Sequence, residues 1–507
     1  MKLLKSIYRI IFSRTTITIG LLIIQIYLFY LGYYIFKEHI IIFFGGNTIL
    51  SLITVIYILN TKENSAFKMA WIIPVLALPV FGTLMYIWVK SQLIPKKLNK
   101  KLEQLKYKSA TYMNNDIIKS KNIPTDIKRL SHYLYDKNFF PIYDNAKIKY
   151  FSSGEEYYKD LLNELREAKK FIFLEFFIIG EGEMWNNILE ILKEKVRENV
   201  EVRVLYDGTC EINQLPRNYV ETLKSYGINA NIYAPLKPFI STYHNNRDHR
   251  KIIVIDGITS YTGGINLADE YIGKKMRFGY WKDNAIKVCG DATNRYTLLF
   301  LEMWNINTKQ IEDFRKYITS NDFKELGYII PYGENPFDKE YLAKNIFLDI
   351  INSATNYIHI MTPYLILDDE LITSLTLAAK KGIDVIIIMP HIPDKIYAYL
   401  LARTYYEELI ETGIKIYEFT PGFIHAKTII SDDIKTSIGS VNLDYRSLYL
   451  NFECGAYIYN NKVIKQIEKD FQNTLKKCQL VTLKDCKELN IICKVAGKIL
   501  RLIAPLM

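Results

Sequence analysis

Three apolar stretches open the chain, at residues 15–36, 40–60 and 67–89. Each holds about 20 residues, and a helix of that length rises about 30 Å, enough to cross a hydrocarbon core. They predict a membrane anchor of two or three apolar helices over residues 1–92. The first stretch is too long for a secretory leader and has no small-residue cleavage site. Lys2, Lys5, Arg9 and Arg14 precede it, and Lys90, Lys96, Lys97, Lys100, Lys101, Lys106 and Lys108 follow the third stretch, against the one acid Glu103. Basic flanks stay cytoplasmic, yet three crossings cannot put both flanks on one side. Only Lys37-Glu38-His39 separates the first two stretches, which leaves room for one to be re-entrant or interfacial. Pro74 and Pro79 are placed to kink the third. The lysine run decides the expectation: a multi-pass protein of the cell membrane with its main body on the cytoplasmic face.

After a basic linker at 93–143 the pattern changes to strands alternating with helices, and it does so twice. In a first half, 144–335, the apolar run 171–179 leads to a helical pattern at 184–197 and a strand at 200–206. In a second half, 336–488, the run 357–365 leads to a helical pattern at 369–381 and a strand at 383–389. Gly227-Ile228 and Gly413-Ile414 each open the next strand. This order predicts an α/β fold of two tandem α/β/α domains from internal duplication. Gly227 to His249 is 22 positions and Gly413 to His425 is 12. The first half thus carries about ten extra residues, among them Tyr243, Asn246 and Arg247, as a surface loop or a cover for a site. The tail, 489–507, spaces Lys494, Lys498 and Arg501 among apolar residues, a pattern that suits a helix lying on anionic lipid or one packed on the body.

Composition adds two constraints. A formal net charge of +11 over 507 residues favours an anionic partner, nucleic acid or an acidic membrane. The cysteines Cys210, Cys289, Cys454, Cys478, Cys486 and Cys493 are scattered without a C-x-x-C pair, so neither a disulfide framework nor a zinc site is expected.

The candidate chemistry lies in a repeated motif. His249-Arg250-Lys251 is followed by Asp256 and by Gly263-Gly264-Ile265-Asn266; His425-Ala426-Lys427 is followed by Asp432 and by Gly439-Ser440-Val441-Asn442. Histidine and asparagine are 17 positions apart in both copies (249 to 266, 425 to 442). One H-x-K-x4-D means little in a long chain, whereas two in matched register carry weight. Alternation on a strand points His249 and Lys251 the same way, and an imidazole beside an ammonium makes an anion site. Asn266 and Asn442 are expected to donate to further phosphate oxygens, with Gly264 and Ser440 allowing close backbone approach. Asp256 and Asp432 end strands, where catalysis and turn capping are both open. Two histidines divide phosphodiester transfer between them. One attacks phosphorus, and the other protonates the departing alcohol and then deprotonates the incoming one. The lysines offset charge on the equatorial oxygens. No metal or other cofactor is called for by this set, since no H-E-x-x-H or acidic cluster accompanies it.

With these residues the chain resembles the phospholipase D superfamily, whose signature is the duplicated H-x-K-x4-D trailed by G-[GS]-x-N. More narrowly it is similar to bacterial cardiolipin synthases of that type. The residues that carry this are Trp71-Ile72-Ile73-Pro74, Asn245-Asn246-Arg247-Asp248-His249, Phe278-Gly279-Tyr280-Trp281-Lys282-Asp283, Pro363-Tyr364, Gly422-Phe423-Ile424-His425 and Leu450-Asn451-Phe452-Glu453. The resemblance implies two tandem phospholipase D-like domains behind N-terminal transmembrane helices. It implies phosphatidylglycerol as both donor and acceptor, with cardiolipin and glycerol as products. It makes His249 the nucleophile and His425 the acid–base, with Asp283 and Glu453 each bracing its motif's histidine. Two residues depart from the pattern: Asp248, where an amide is usual, and Glu175, where Gln is common. A phospholipase D or phosphatidylserine synthase, with water or serine as acceptor, is the nearest alternative. A nuclease fits the charge less well, because the anchor sets the basic body beside an acidic bilayer; an anionic membrane, not nucleic acid, is the expected partner. Oligomeric state is open.

Overall fold

The computed structural model describes residues 40–90, 93–113, 123–235 and 245–506, apart from 309, 322, 324 and 339, together with isolated positions between 20 and 34. Most of the apolar stretch 15–36, and Tyr243, lie outside the described residues. The chain forms two compact units: residues 1–97, 236–245 and 499–507 in one, 98–235 and 246–498 in the other.

The first unit contains the helices Ile40–Leu59, Ser65–Ala77 and Pro79–Lys90. The expected apolar helix at 67–89 is two helices, of 13 and 12 residues. Pro79 has no N–H to continue the ladder, and its ring drives the preceding residue out of the helical region; Leu78 accordingly has φ −138°. Each piece rises about 20 Å, short of a hydrocarbon core. The chain folds back at the break, and a Cβ on Gly82 would stand 2.5 Å from the Pro74 carbonyl oxygen. Ile58, Ile72, Val75 and Tyr86 are buried together. Ser51 donates to the Val75 carbonyl at 3.2 Å, and the Thr54 and Thr83 hydroxyls lie 3.1 Å apart. Side chains of Ile40–Leu59 are described from Gly45 onward. Among the described residues no helix is long and apolar enough to cross a membrane.

The second unit lays down β1 (Lys147–Phe151), β2 (Phe171–Phe176), β3 (Glu201–Asp207), β4 (Asn229–Tyr233), β5 (Lys251–Ile255), β6 (Thr259–Gly263), β7 (Tyr280–Lys282) and β8 (Ala285–Cys289). It continues with β9 (Tyr328–Glu334), β10 (Tyr357–Met361), β11 (Asp384–Pro390), β12 (Lys415–Phe419), β13 (Gly422–Ile424), β14 (Thr428–Ser431), β15 (Lys435–Gly439), β16 (Glu453–Tyr459) and β17 (Cys478–Leu480). One sheet has the order β1-β8-β6-β5-β2-β3-β4, and the other has β9-β16-β15-β14-β10-β11-β12-β17 when taken from the equivalent edge. Element for element these are one topology, with β17 added, so the unit is an internal duplication. In each sheet the first three strands with helical crossovers run parallel (β2-β3-β4 and β10-β11-β12), and the motif strands β5 and β14 join them antiparallel.

The central strands are apolar on both faces because both are covered. Helices Gly154–Glu167 and Glu183–Arg197 bury Leu161, Leu165, Ile188 and Leu192 against β2 and β3. Each such side chain contributes roughly 1.5–3 kcal/mol. Helix Thr293–Trp304 is buried along almost its whole length. β9 precedes the expected division at 335/336 and pairs with β16 in the second sheet. Helix Ile491–Ile503 exposes Ile491, Ile492 and Val495.

Candidate active site

The two halves meet through a reciprocal exchange of main chain. The His249 N–H donates to the Phe452 carbonyl at 2.9 Å, and the His425 N–H donates to the Lys282 carbonyl at 2.7 Å. Phe452 and Lys282 are the residues before Glu453 and Asp283. Each exchange therefore delivers a carboxylate to the histidine of the opposite half. Glu453 lies 2.8 Å from His249 Nδ1 and Asp283 2.6 Å from His425 Nδ1. The expectation that each acid braces its own motif's histidine is corrected by this crossing. The physical cause is strand pairing: β7, which ends beside Asp283, runs parallel with β13, which ends beside His425, and Asp248 bridges to Phe452.

The rings are also held laterally. Phe177 stands edge-on to His249 at 4.9 Å, while Trp281 and Tyr271 lie 5.2 and 5.5 Å from His425. With Nδ1 committed to a carboxylate, Nε2 of each ring is the atom left to act. Lys251 donates to the His249 carbonyl at 2.7 Å, and Lys427 likewise donates to that of His425. Burial, then Lys251, Lys427 and Lys395, hold His249 well below the ordinary imidazole range. Burial, then Lys427, with a smaller push from Lys251, lower His425 to about 3. Each imidazole thus feels the lysine of both halves, and the four groups share one electrostatic site. Burial lowers Lys251 to about 8 and Lys427 to about 7.

The two carboxylates differ. Burial pushes Glu453 up to about 7, against the pull of Lys251 and the Ser440 hydroxyl. Asp283 is also fully buried, but His425, Lys427 and the Asn284 N–H outweigh that burial and hold it below the ordinary range. The small residue of each G-[GS]-x-N motif serves this pair. A Cβ on Gly264 would lie 2.0 Å from Asp283 Oδ1, and the Ser440 hydroxyl donates to Glu453.

Other expected residues stand elsewhere. Asp256 accepts from the N–H groups of Lys169, Lys170 and Phe171 at 2.7–2.8 Å. Asp432 accepts from those of Thr355, Asn356 and Tyr357 at 2.7–2.9 Å. Both lie at the far ends of their strands, roughly 20 Å from the histidines at about 3.3 Å per residue. They clasp the starts of β2 and β10 and do not reach the imidazoles. Asn266 accepts from the Ile178 N–H at 3.1 Å and donates to the Tyr271 hydroxyl at 2.7 Å. Its amide supports the ring beside His425. Asn442 is buried, its Oδ1 without a hydrogen-bond partner among the described residues. Two residues received no role from the sequence: Lys395, which lies in no motif, and Arg250, at the motif's variable position, whose guanidinium donates to the Glu453 and Glu334 carbonyls at 3.2 Å each. Among the described residues no group of three or more His, Cys, Asp or Glu side chains is placed to hold a metal ion.

A duplicated α/β fold that brings one His–Lys pair from each copy into one anion site is a phospholipase D-like phosphodiester transferase. Residues 161–304 and 347–475 match the family described as "Cardiolipin synthase, PLD-like domain", and residues 49–90 match "Phospholipase_D-nuclease N-terminal". A cardiolipin synthase of Alkalihalophilus pseudofirmus is 34% identical over 89% of this chain and 91% of its own. An uncharacterised protein of Streptococcus mutans is 44% identical over 90% of this chain and 99% of its own. The crystal structure of a phosphatidylserine synthase from Haemophilus influenzae shares the fold, with a TM-score of 0.56, 18% identity, and coverage of 76% of this chain and 98% of that one. The chain belongs to the phospholipase D-like cardiolipin synthases, a family of phosphatidyltransferases.

Proposed function

We propose that this chain makes cardiolipin from two molecules of phosphatidylglycerol. The observation that carries the mechanism is the crossed pair of carboxylate–imidazole contacts, Glu453 on His249 and Asp283 on His425. Both imidazoles are neutral in the free enzyme. A phosphodiester anion entering between them raises their proton affinity, since an opposite charge favours the cation. His425 takes the proton, because the firmly ionised Asp283 stabilises its imidazolium. His249, opposed by three lysines and braced by the softer Glu453, stays neutral and attacks.

In the first step a bond forms from His249 Nε2 to phosphorus, and the bond to the departing glycerol oxygen breaks. His425 gives that oxygen its proton. Lys251 and Lys427 face the negative charge on the equatorial oxygens. In the second step His425 takes the proton from the terminal hydroxyl of a second phosphatidylglycerol. That oxygen attacks phosphorus, and the P–N bond breaks. One phosphodiester replaces another, so the exchange needs no nucleotide.

The catalytic set proposed is thus His249, His425, Lys251 and Lys427, with Glu453, Asp283, Gly264, Ser440 and Asn266 as positioning residues. The apolar N-terminal segments anchor the protein in more than one pass, and the lysine run at 90–108 keeps the body on the cytoplasmic face of an anionic membrane. Purified full chain given phosphatidylglycerol in the presence of EDTA should yield cardiolipin and free glycerol. Phosphatidic acid as the main product would make it a hydrolase, and product formed only with added serine a phosphatidylserine synthase.

A further inference from the structure

Two exposed loops lie beside β13, the strand that leads into His425. The first runs from Gly273 to Gly279 and exposes Lys274, Lys275, Met276 and Arg277. The second runs from His391 through Lys395 into the first turn of the helix Ile396–Glu411, and exposes Ile392, Lys395, Ile396 and Tyr397. Met276 is 63% exposed, Ile396 71%, Tyr397 47% and Ile392 38%. Each loop is tied to β13. On one side the Tyr280 N–H donates to the Pro421 carbonyl at 3.0 Å, and the Phe278 and Phe423 rings lie 6.4 Å apart. On the other the Ile392 N–H donates to the Gly422 carbonyl at 3.4 Å. Trp281 carries the first loop's aromatic contacts through to His425.

The composition of this rim is unusual for a surface facing water. Cations alternate with exposed apolar side chains, and the nearby acids are few. Glu183 pairs with Lys274 at 3.2 Å, and Asp394 accepts from the Tyr364 hydroxyl at 2.6 Å. Glu270 is half-buried. Arg277 lies over its own neighbour Phe278, and Lys395 over Tyr364. Basic residues paired with Met, Ile and Tyr suit the headgroup boundary of a bilayer, where the cations meet lipid phosphates and the apolar tips enter the acyl region. A lipid cannot bring its phosphodiester to a buried histidine from bulk water without exposing its chains. The surface around the site must therefore either lift the lipid or seat on the bilayer.

We propose that these two loops form one docking rim that seats the catalytic unit on an anionic bilayer, with Met276 and Ile396 entering the lipid and Lys275 and Arg277 on its phosphates. The rim delivers a headgroup to the His249–His425 site while the chains stay in the membrane, so the proposal rests on the lipid reading of that site. Each interfacial cation contributes about fivefold in affinity for acidic lipid.

The full chain, reconstituted in phosphatidylglycerol-rich vesicles, tests this with two readouts. Met276→Trp and Ile396→Trp should each add tryptophan fluorescence that brominated-chain phosphatidylglycerol quenches, beyond the quenching of the parent protein. No added quenching at either position overturns the rim. A Lys275→Glu, Met276→Ser, Arg277→Glu variant should turn over vesicle phosphatidylglycerol at least about tenfold more slowly. On short-chain phosphatidylglycerol below its micelle concentration its rate should stay within about twofold of the parent. Equal loss on both substrates, or loss on neither, overturns it as well. Quenching at both positions in a protein that turns over neither lipid would leave the rim standing and remove the proposed reaction.

Discussion

Glu453 lies with both carboxylate oxygens 2.8 Å from His249 Nδ1, although the two residues come from opposite copies of the duplication. Asp283 and His425 repeat the relationship in reverse at 2.6 Å. A carboxylate in this position fixes the tautomer that leaves Nε2 free and stabilises the cation when it forms. Glu453→Gln and Asp283→Asn should each lower kcat on the order of 100-fold or more, with little change in thermal midpoint. Because the acids cross, a Glu453 variant should mimic a His249 variant and an Asp283 variant a His425 variant. Single-turnover kinetics that separate formation of the covalent intermediate from its breakdown check the pairing.

Asp432 should behave as a structural residue. Its carboxylate accepts three backbone N–H bonds, which outweigh partial burial and hold its pKa below the ordinary value. That stability is present above the unfolded pKa of about 3.9 and is lost as pH falls through the lowered folded value. Asp432→Asn should lower the thermal midpoint by a few degrees at pH 7, with kcat within about twofold. The deficit should shrink toward pH 3. Calorimetry across pH reads this directly.

The two departures from the family pattern, Glu175 and Asp248, are one feature. Both are fully buried, and Arg250 approaches Glu175 at 3.8 Å. Burial, then the charge of Asp248, pushes Glu175 well above the carboxylate range; burial, with the charge of Asp207, pushes Asp248 up to about 7. The sign is opposite to that of Asp432. Stability from the protonated acids is complete below about pH 4 and is lost as pH rises, for Asp248 through about 7. Glu175→Gln, which cannot ionise, should raise the thermal midpoint by a few degrees at pH 8 and change it little at pH 4.

The lysines set the alkaline limit. Lys427 at about 7 and Lys251 at about 8 lose their charge as pH rises in the free enzyme. Since kcat/KM reports free-enzyme ionisations, it should fall from about pH 7–8 upward. The limb in kcat should sit at higher pH, because bound phosphate holds the lysines protonated. Lys427→Arg keeps its charge, so whatever activity it retains should show the limb displaced upward.

The repeated H-x-K and G-[GS]-x-N motifs made the duplication and the anion-binding pairs legible in the sequence, and the alternation of strand and helix patterns did the same for the α/β class, because each depends on local order along the chain. The crossing of Glu453 and Asp283 was not legible. It is set by which strand edges meet when two sheets pack, and each acid follows the motif of its own half in the chain. Asp256 and Asp432 illustrate the same limit. Their place at strand ends left catalysis and capping both open, and it is the backbone amides of the neighbouring strand's start that use their oxygens. The proline at 79 did announce a disturbance in the third apolar stretch, but whether the chain kinks or folds back depends on what Gly82 is allowed to approach. Lys395 has no motif at all and enters the site only through the fold.

The central claim is that imidazoles from the two halves act on one phosphorus, with His249 carrying it. Rapid acid-free quenching during turnover of phosphatidylglycerol, followed by peptide mass spectrometry, tests it most directly. A phosphatidyl adduct should appear on His249, be absent from His249→Ala, and persist longer when Asp283 is replaced by Asn. An adduct on His425 in the parent protein, or turnover retained in His249→Ala, would contradict the account.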